Sequence, residues 1–371
     1  MEVNNIDWLI TATGWDLFWV KLGLGFLLSF FITFFSIPTI IKISRRKNLM
    51  DEPGIRSSHI LKIPNLGGIA LFYSIAVCAP IFAYELFGQF KFLFASLVIL
   101  LYIGVMDDIV VMRAYKKLIA QIVVALLLVL GSDVRIRSLF GVFGIYELNY
   151  FISVVFSIVT FIILINAFNL IDGIDGLAGS YSVVCSLLFG LSYYRLGAYN
   201  FPLVVLSAVI IGAVLAFLIY NMSTLRRKKI FMGDTGSMLL GCLLVFTAIC
   251  FIDIFIDKGM PNMPRYYLKS APVIAVAILI LPIVDTLNVI IIRLSQKKSP
   301  FDADKNHIHH KLLDLGLTHR RATAYIMLYY IGLITITYFL RHLESNLLLI
   351  IVLSIGFFGA YLPNIIKKLK K

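Results

Sequence analysis

The chain has 371 residues, 60% of them hydrophobic and 14% charged, with a mean hydropathy of +0.94. A soluble chain would be nearer half apolar, so this composition excludes a soluble enzyme with a large core and indicates an integral membrane protein. The formal net charge of +13 would point a soluble protein towards nucleic acid, but here membrane topology accounts for it better, and no nucleic-acid partner is expected.

The opening stretch, MEVNNIDWLITATG, has no basic region, so no cleaved signal peptide is expected and the first span should stay in the protein. Apolar segments are then expected at 17–42, 67–88, 92–106, 117–131, 150–166, 177–195, 202–220, 236–256, 270–294, 324–340 and 346–363. The fold class is therefore an all-α polytopic membrane protein of about eleven transmembrane helices. No linker is long enough to separate two domains, so residues 1–371 are read as one. Cys78, Cys185, Cys242 and Cys250 all lie within apolar runs, without a CxxC, and read as buried free thiols.

Eleven spans put the termini on opposite sides. Of the 33 Lys and Arg residues, 24 fall in the loops on the C-terminal side. The positive-inside rule then places the C-terminus in the cytoplasm and the N-terminus outside. The basic inner surface faces anionic lipid headgroups and would attract an anionic substrate.

The chemistry-bearing residues collect on that same side. Asp107 and Asp108 end the third span in GVMDDIVVMRAYKK, either as solvated interfacial charges or as a hard-cation ligand or general base. Mg²⁺ takes a few carboxylates plus substrate phosphate oxygens, and Lys116 and Lys117 are candidate phosphate contacts. The stretch NAFNLIDGIDGLAGS follows the fifth span, with polar side chains at Asn166, Asn169, Asp172 and Asp175. Steps of three drift by about 60° around an α-helix, so these four cannot share one narrow face. Gly173 and Gly176 also make an unbroken helix less favourable, so Asn166 and Asn169 should finish a helix and Asp175 should sit on the turn opening the next.

In FMGDTGS, Asp234 stands between glycines before the eighth span, where it either caps the helix or faces an anion site. The ninth span carries Asp285 among apolar residues, with Pro272 and Pro282 able to break it. Asp285 either serves a site or satisfies groups freed by the kink. In DADKNHIHHKLLDLG, His307 and His310 are i,i+3 and would share a helical face, with His309 pointing elsewhere. Zinc could use these histidines with Asp302 or Asp304, but the surrounding lysines and arginines suit a diphosphate better.

Six motifs in order, DEPGIRSSH…IPNLGG (51–68), MDDI (106–109), NAFNLIDGIDGLAG (166–179), FMGDTGS (231–237), LPIVDT (281–286) and DKNHIHHKLLDLG (304–316), resemble the polyprenyl-phosphate N-acetylhexosamine-1-phosphate transferases. Members of that family start enterobacterial common antigen, O-antigen and teichoic acid linkage units. The resemblance covers about Pro53 to Gly316. It implies transfer of a sugar 1-phosphate from a UDP-N-acetyl sugar to a polyprenyl phosphate such as undecaprenyl phosphate, releasing UMP, at the cytoplasmic face of a bacterial inner membrane.

Carried over by position, the resemblance makes Asn169 and Asp234 ligands of Mg²⁺, with Mn²⁺ as a substitute. Asp107 or Asp108 would orient or deprotonate the lipid phosphate, and Asp172 would be a catalytic carboxylate. Asp175 and Phe231 would contact uracil, and Lys117, His307, His309 and His310 the diphosphate or sugar. Asn166, Arg56, His59 and Asp285 complete the expected substrate-binding set. Ser57 stands where a lysine is common, and Lys305 where an arginine is common.

The His-Ile-His-His pattern resembles the branch using UDP-GlcNAc rather than the phospho-MurNAc-pentapeptide transferases, which carry three consecutive histidines. The family includes dimers, so a homodimer is a further expectation. A cation-coupled transporter is the alternative from another class, but the sequence lacks the inverted halves with matching broken helices that it requires.

Overall fold

The computed structural model describes residues 5–50, 62–110, 112–256, 268–299 and 306–369, with side chains from Leu17 onwards. Its helices, in chain order, are α1 (Asn5–Arg46), α2 (Gly67–Phe82), α3 (Tyr84–Gln89), α4 (Phe92–Val110), α5 (Ala114–Leu126), α6 (Tyr150–Ile171) and α7 (Leu177–Arg195). They continue as α8 (Phe201–Asn221), α9 (Gly233–Ile254), α10 (Ala271–Ile278), α11 (Ile280–Ser295), α12 (Ile308–Asp314), α13 (His319–Phe339) and α14 (Ser345–Leu369).

Among the described residues, nine helices are long and apolar enough to cross a membrane, and the bent pair α10–α11 makes a tenth span. These segments, with the shorter apolar α2, match the eleven expected from hydropathy. Two differ in form. The segment expected at 67–88 ends its helix at Phe82, and a short α3 follows after Ala83. The segment expected at 270–294 is broken at Leu279 and bends by 74°. Pro282 is the physical cause: it has no N–H for the carbonyl of Ile278 four residues back, and its ring crowds that oxygen.

Helix α9 is the axis of the molecule, with 89% of its apolar window buried inside the protein. It packs against α2, α4, α6, α7 and α10. Transmembrane helices approach closely only where side chains are small, and three glycines supply that here. A Cβ on Gly68 of α2 would lie 2.1 Å from the backbone nitrogen of Gly236, and one on Gly104 of α4 would lie 2.4 Å from Cα of Thr235. Gly241 of α9 meets Phe168 and Ile165 of α6. Gly104→Val is accordingly expected to destabilise the fold by roughly 1–3 kcal/mol, seen as a lower unfolding midpoint in detergent. An unchanged midpoint would contradict this helix contact.

Candidate active site

The site forms where the C-terminal ends of α4 and α6 meet the N-terminus of α9. The segment entering α9 is first fixed by backbone pairing with the segment entering α2: the N–H of Phe231 donates to Pro64 O (2.8 Å), Gly67 N–H to Phe231 O (3.0 Å) and Gly68 N–H to Met232 O (2.8 Å). A helix start leaves orphan N–H groups, and here α4 caps them. The carboxylate of Asp108 accepts from the N–H of Asp234 (2.8 Å), the N–H of Thr235 (3.1 Å) and the hydroxyl of Thr235 (2.6 Å). Gly233, at φ +72°, leaves room for it, since a Cβ there would lie 2.6 Å from both Asp108 oxygens.

The two aspartates at the end of α4 therefore have separate tasks. Asp108 is the cap of α9, with both oxygens accepting from the start of that helix, and so holds the backbone of Asp234 in place. Asp107 accepts the N–H of Met112 (2.6 Å) and pairs with Lys117 (2.5 Å). Met232 before the helix supplies no side-chain cap, and Asp234, at the second position of α9, accepts no backbone N–H of the helix start among the described residues. Its carboxylate is free to pair with Lys117, whose ammonium thus bridges Asp107 and Asp234.

Asn169, in the last turn of α6, donates to the hydroxyl of Ser237 (2.9 Å) and stands within hydrogen-bonding reach of Asp234. It presents its amide nitrogen to this pair, so ligating a metal through oxygen requires the amide to turn over. Asn166 lies one turn earlier and exchanges hydrogen bonds with Gln121 of α5 (2.6 and 3.2 Å). The Asn166 side chain thereby joins α5 to α6.

As expected, the helix stops before Asp172, and Gly176, in a left-handed conformation (φ +80°), opens α7. Asp172 is the one carboxylate of the cluster with no hydrogen-bond or ion-pair partner among the described residues. Its enclosure, and then the neighbouring charges of Asp234, Asp108 and Asp175, push its carboxyl well above the ordinary range. Asp175 behaves oppositely. Burial alone would raise it, but His319 and Lys229 hold it below its ordinary value. One of its oxygens pairs with Lys229 and lies 3.5 Å from His319 Nδ1, whereas Oδ1 is buried without a partner. The Lys229 ammonium also stands 5.7 Å over the ring of Phe231, so the base-contact pair implied by the resemblance meets around one lysine.

The histidine segment docks on this turn. Buried Asp285 accepts from the backbone N–H of Ile308 (2.8 Å) and bonds His307 Nδ1 (2.8 Å). His307 is extended and precedes α12, so the i,i+3 helical face expected for His307 and His310 does not form. Instead all three rings cluster, with centroids 5.6 Å apart for His307–His309 and 4.3 Å for His309–His310. His309, expected to point elsewhere, sits on the backbone of Gly173, where a Cβ would lie 2.1 Å from its Nε2.

Burial lowers the His309 pKa to about 3. The unfolded chain takes up this proton below pH about 6.5 while the folded chain does not, so stability is lost as pH falls from about 6.5 towards 3, by up to about 1.4 kcal/mol per pH unit. His309→Gln should flatten the stability curve between pH 6.5 and 4.5, measured by thermal unfolding. Parallel wild-type and variant curves would refute this.

Arg56 and His59 lie outside the described residues, as do Asp302, Asp304 and Lys305. No group of three His, Cys, Asp or Glu among the described residues could hold a metal by itself; the zinc alternative called on Asp302 or Asp304, which lie outside them. Sequence reasoning missed Asn221, which is buried and accepts from Gly176 N–H (2.7 Å) while donating to Ile230 O (3.0 Å). It thereby fixes the Asp175 turn against the segment carrying Lys229 and Phe231. A polar residue ending an apolar span was its only sequence signal. Lys229 was also missed as a partner of Asp175.

A sequence model of glycosyl transferase family 4 matches residues 90–252. The undecaprenyl-phosphate alpha-N-acetylglucosaminyl 1-phosphate transferase of Escherichia coli O157:H7 is 31% identical over 293 residues, covering 77% of this chain and 75% of that protein. The decaprenyl-phosphate N-acetylglucosaminephosphotransferase of Mycolicibacterium smegmatis is 30% identical over 332 residues, covering 85% and 80%. Its namesake from Mycobacterium tuberculosis H37Rv is 31% identical over 328 residues, covering 83% and 80%.

Proposed function

The chain belongs to glycosyl transferase family 4, the polyprenyl-phosphate sugar-1-phosphate transferases, and from that premise we propose that it transfers N-acetylglucosamine 1-phosphate from UDP-GlcNAc to undecaprenyl phosphate, releasing UMP. The observation that carries the proposal is the cluster at the start of α9: Asp107, Asp172 and Asp234 beside Lys117, next to a turn whose Asp175 holds a free buried acceptor. The names of the relatives support the sugar and the acceptor class.

Phosphoryl transfer asks a protein mainly for positioning and charge neutralisation. An oxygen of the lipid phosphate attacks the sugar-bearing phosphorus of the donor as the bond to UMP breaks. That nucleophile is a phosphate monoester with a second pKa of about 6, so it needs orientation more than a strong base. Both oxygens of Asp108 and both of Asp107 are already engaged, which supports direct attack over a phosphoryl-aspartate route. Lys117 binds the diphosphate, Asp175 Oδ1 accepts the N3–H of uracil, and Phe231 stacks on the base.

The residues around Lys117 offer oxygen donors only, which suits Mg²⁺. This ion is held by one or two carboxylates and completes its shell from substrate phosphate and water. Asp234 and Asn169, with Asp172 beside them, would hold the ion, which when bound neutralises the developing phosphate charge. The charge bias of the loops supports a site facing the cytoplasm, with the N-terminus outside.

The test is formation of lipid-linked sugar diphosphate from radiolabelled UDP-GlcNAc and undecaprenyl phosphate in purified membranes, with Mg²⁺ and with EDTA. No product under either condition would sink the proposal. Competition by UDP-GalNAc and 6-deoxy UDP-N-acetyl sugars identifies the donor.

A further inference from the structure

The break between α10 and α11 leaves the carbonyl of Ile278 without its helical partner inside the membrane, where water is scarce and an unpaired carbonyl is costly. Two phenols from different helices take its place. Tyr181 of α7 donates to Ile278 O at 2.8 Å and Tyr330 of α13 at 2.7 Å, with the thiol of Cys185 at 3.4 Å. Both tyrosines are buried, and their rings stand 5.0 Å apart.

Each tyrosine also belongs to a helix that builds the nucleotide side of the site. α7 springs from the Asp172–Gly176 turn. α13 supplies His319 beside Asp175, and Thr323, which donates to Asp175 O (2.8 Å). Beyond the break, α11 carries Asp285 less than a turn past Pro282, and Asp285 holds His307 and the start of α12. His309 then rests on Gly173. The break, the histidine segment and the catalytic turn are thus joined in one closed circuit.

We propose that Tyr181 and Tyr330 are positioning residues of the transfer reaction. By holding the carbonyl that Pro282 frees they keep α11 at the angle of the break, and through Asp285 keep the histidine segment in place against the turn that holds Asp172. The proposal rests on the transferase function proposed above.

The test uses the full chain with Tyr181→Phe and Tyr330→Phe combined, which removes two hydroxyls and nothing else. The expected result is a fall in kcat on the order of 100-fold with the KM for UDP-GlcNAc little changed. Adding Pro282→Ala supplies an N–H for Ile278 O. If the tyrosines served stability alone, this third change would restore both the unfolding midpoint and the rate. The expected result is that the midpoint recovers and the rate stays low, because a continuous helix aims Asp285 elsewhere. Wild-type kcat in the double variant, or recovery of rate with the triple, overturns the proposal. If the double variant cannot be recovered from membranes, the single variants Tyr181→Phe and Tyr330→Phe decide, each expected to lower kcat with the KM for UDP-GlcNAc little changed; wild-type kcat in both overturns the proposal.

A second readout needs no turnover. Val284 of α11 and Ile308 of α12 line one cavity of about 620 Å³ that α13 and α14 also wall; both are buried, as are the four native cysteines, so the pair is introduced with those four replaced by alanine. A cysteine pair at those positions, joined by a short bifunctional thiol reagent, should cross-link less when both tyrosines are Phe. Equal yield refutes the positioning role. Absence of product from wild-type protein would sink the transferase function instead, and the cross-linking result would still stand.

Discussion

Asp234→Ala is expected to cut product formation by more than about 100-fold while leaving the protein folded. The expectation comes from where its carboxylate does not go. Asp234 occupies the second position of α9 but accepts no backbone N–H of the helix start among the described residues, where Asp108 supplies the cap. Removing its carboxylate takes one partner from Lys117, which keeps Asp107. The helix start, the backbone pairing with 64–68 and the packing of α9 do not depend on it. The residue is therefore dispensable to the fold and committed to the charge balance of the site. The check is radiolabelled product in membranes, set beside the unfolding midpoint in detergent. Product equal to wild type would remove Asp234 from the reaction.

Asp108→Ala is expected to be equally inactive for the opposite reason. It strips the acceptor from two backbone N–H groups and one hydroxyl at the start of a buried helix. Losing such a cap, with donors left unsatisfied, costs roughly 2–5 kcal/mol. The unfolding midpoint should fall together with activity, because the backbone presenting Asp234 loses its anchor. Asp108→Asn keeps one acceptor, and its amide can donate to the hydroxyl of Thr235, so it should lie between wild type and Asp108→Ala in both measurements. A stable, inactive Asp108→Ala would mean that this carboxylate meets substrate after all.

The apolar spans were legible from hydropathy because a membrane core demands a minimum run of apolar residues, whatever the tertiary structure. The stop after Ile171 was legible too, since two glycines within four residues disfavour a helix. The partners of polar groups were not. Nothing near Asp108 in sequence marks it as the cap of a helix that begins 125 residues later, and Asp234, with glycines around it, looks locally like a cap itself. Pro282 announced a freed carbonyl, yet the groups that satisfy it come from 97 residues before and 52 after. The histidines were misread for a related reason. Periodicity assumes a continuing helix, whereas Asp285 pins His307 in an extended conformation just before α12 starts. In each case the residue type was informative and the spacing was not, because the contact is between distant segments.

The enclosure of α9 has a consequence for how the protein is made. Of its neighbours, α2, α4, α6 and α7 precede it in the chain and only α10 follows, so most of its partners are already made when it leaves the insertion machinery. The mean hydropathy of 2.3 over the most apolar 18 residues of α9 lets it reside in lipid as a stable span. The glycines that later meet α2 and α6 cost little there. Assembly then exchanges lipid contacts for backbone contacts around a helix already in the bilayer. Asp234, at the start of α9, is then held by α4, synthesised earlier, through Asp108.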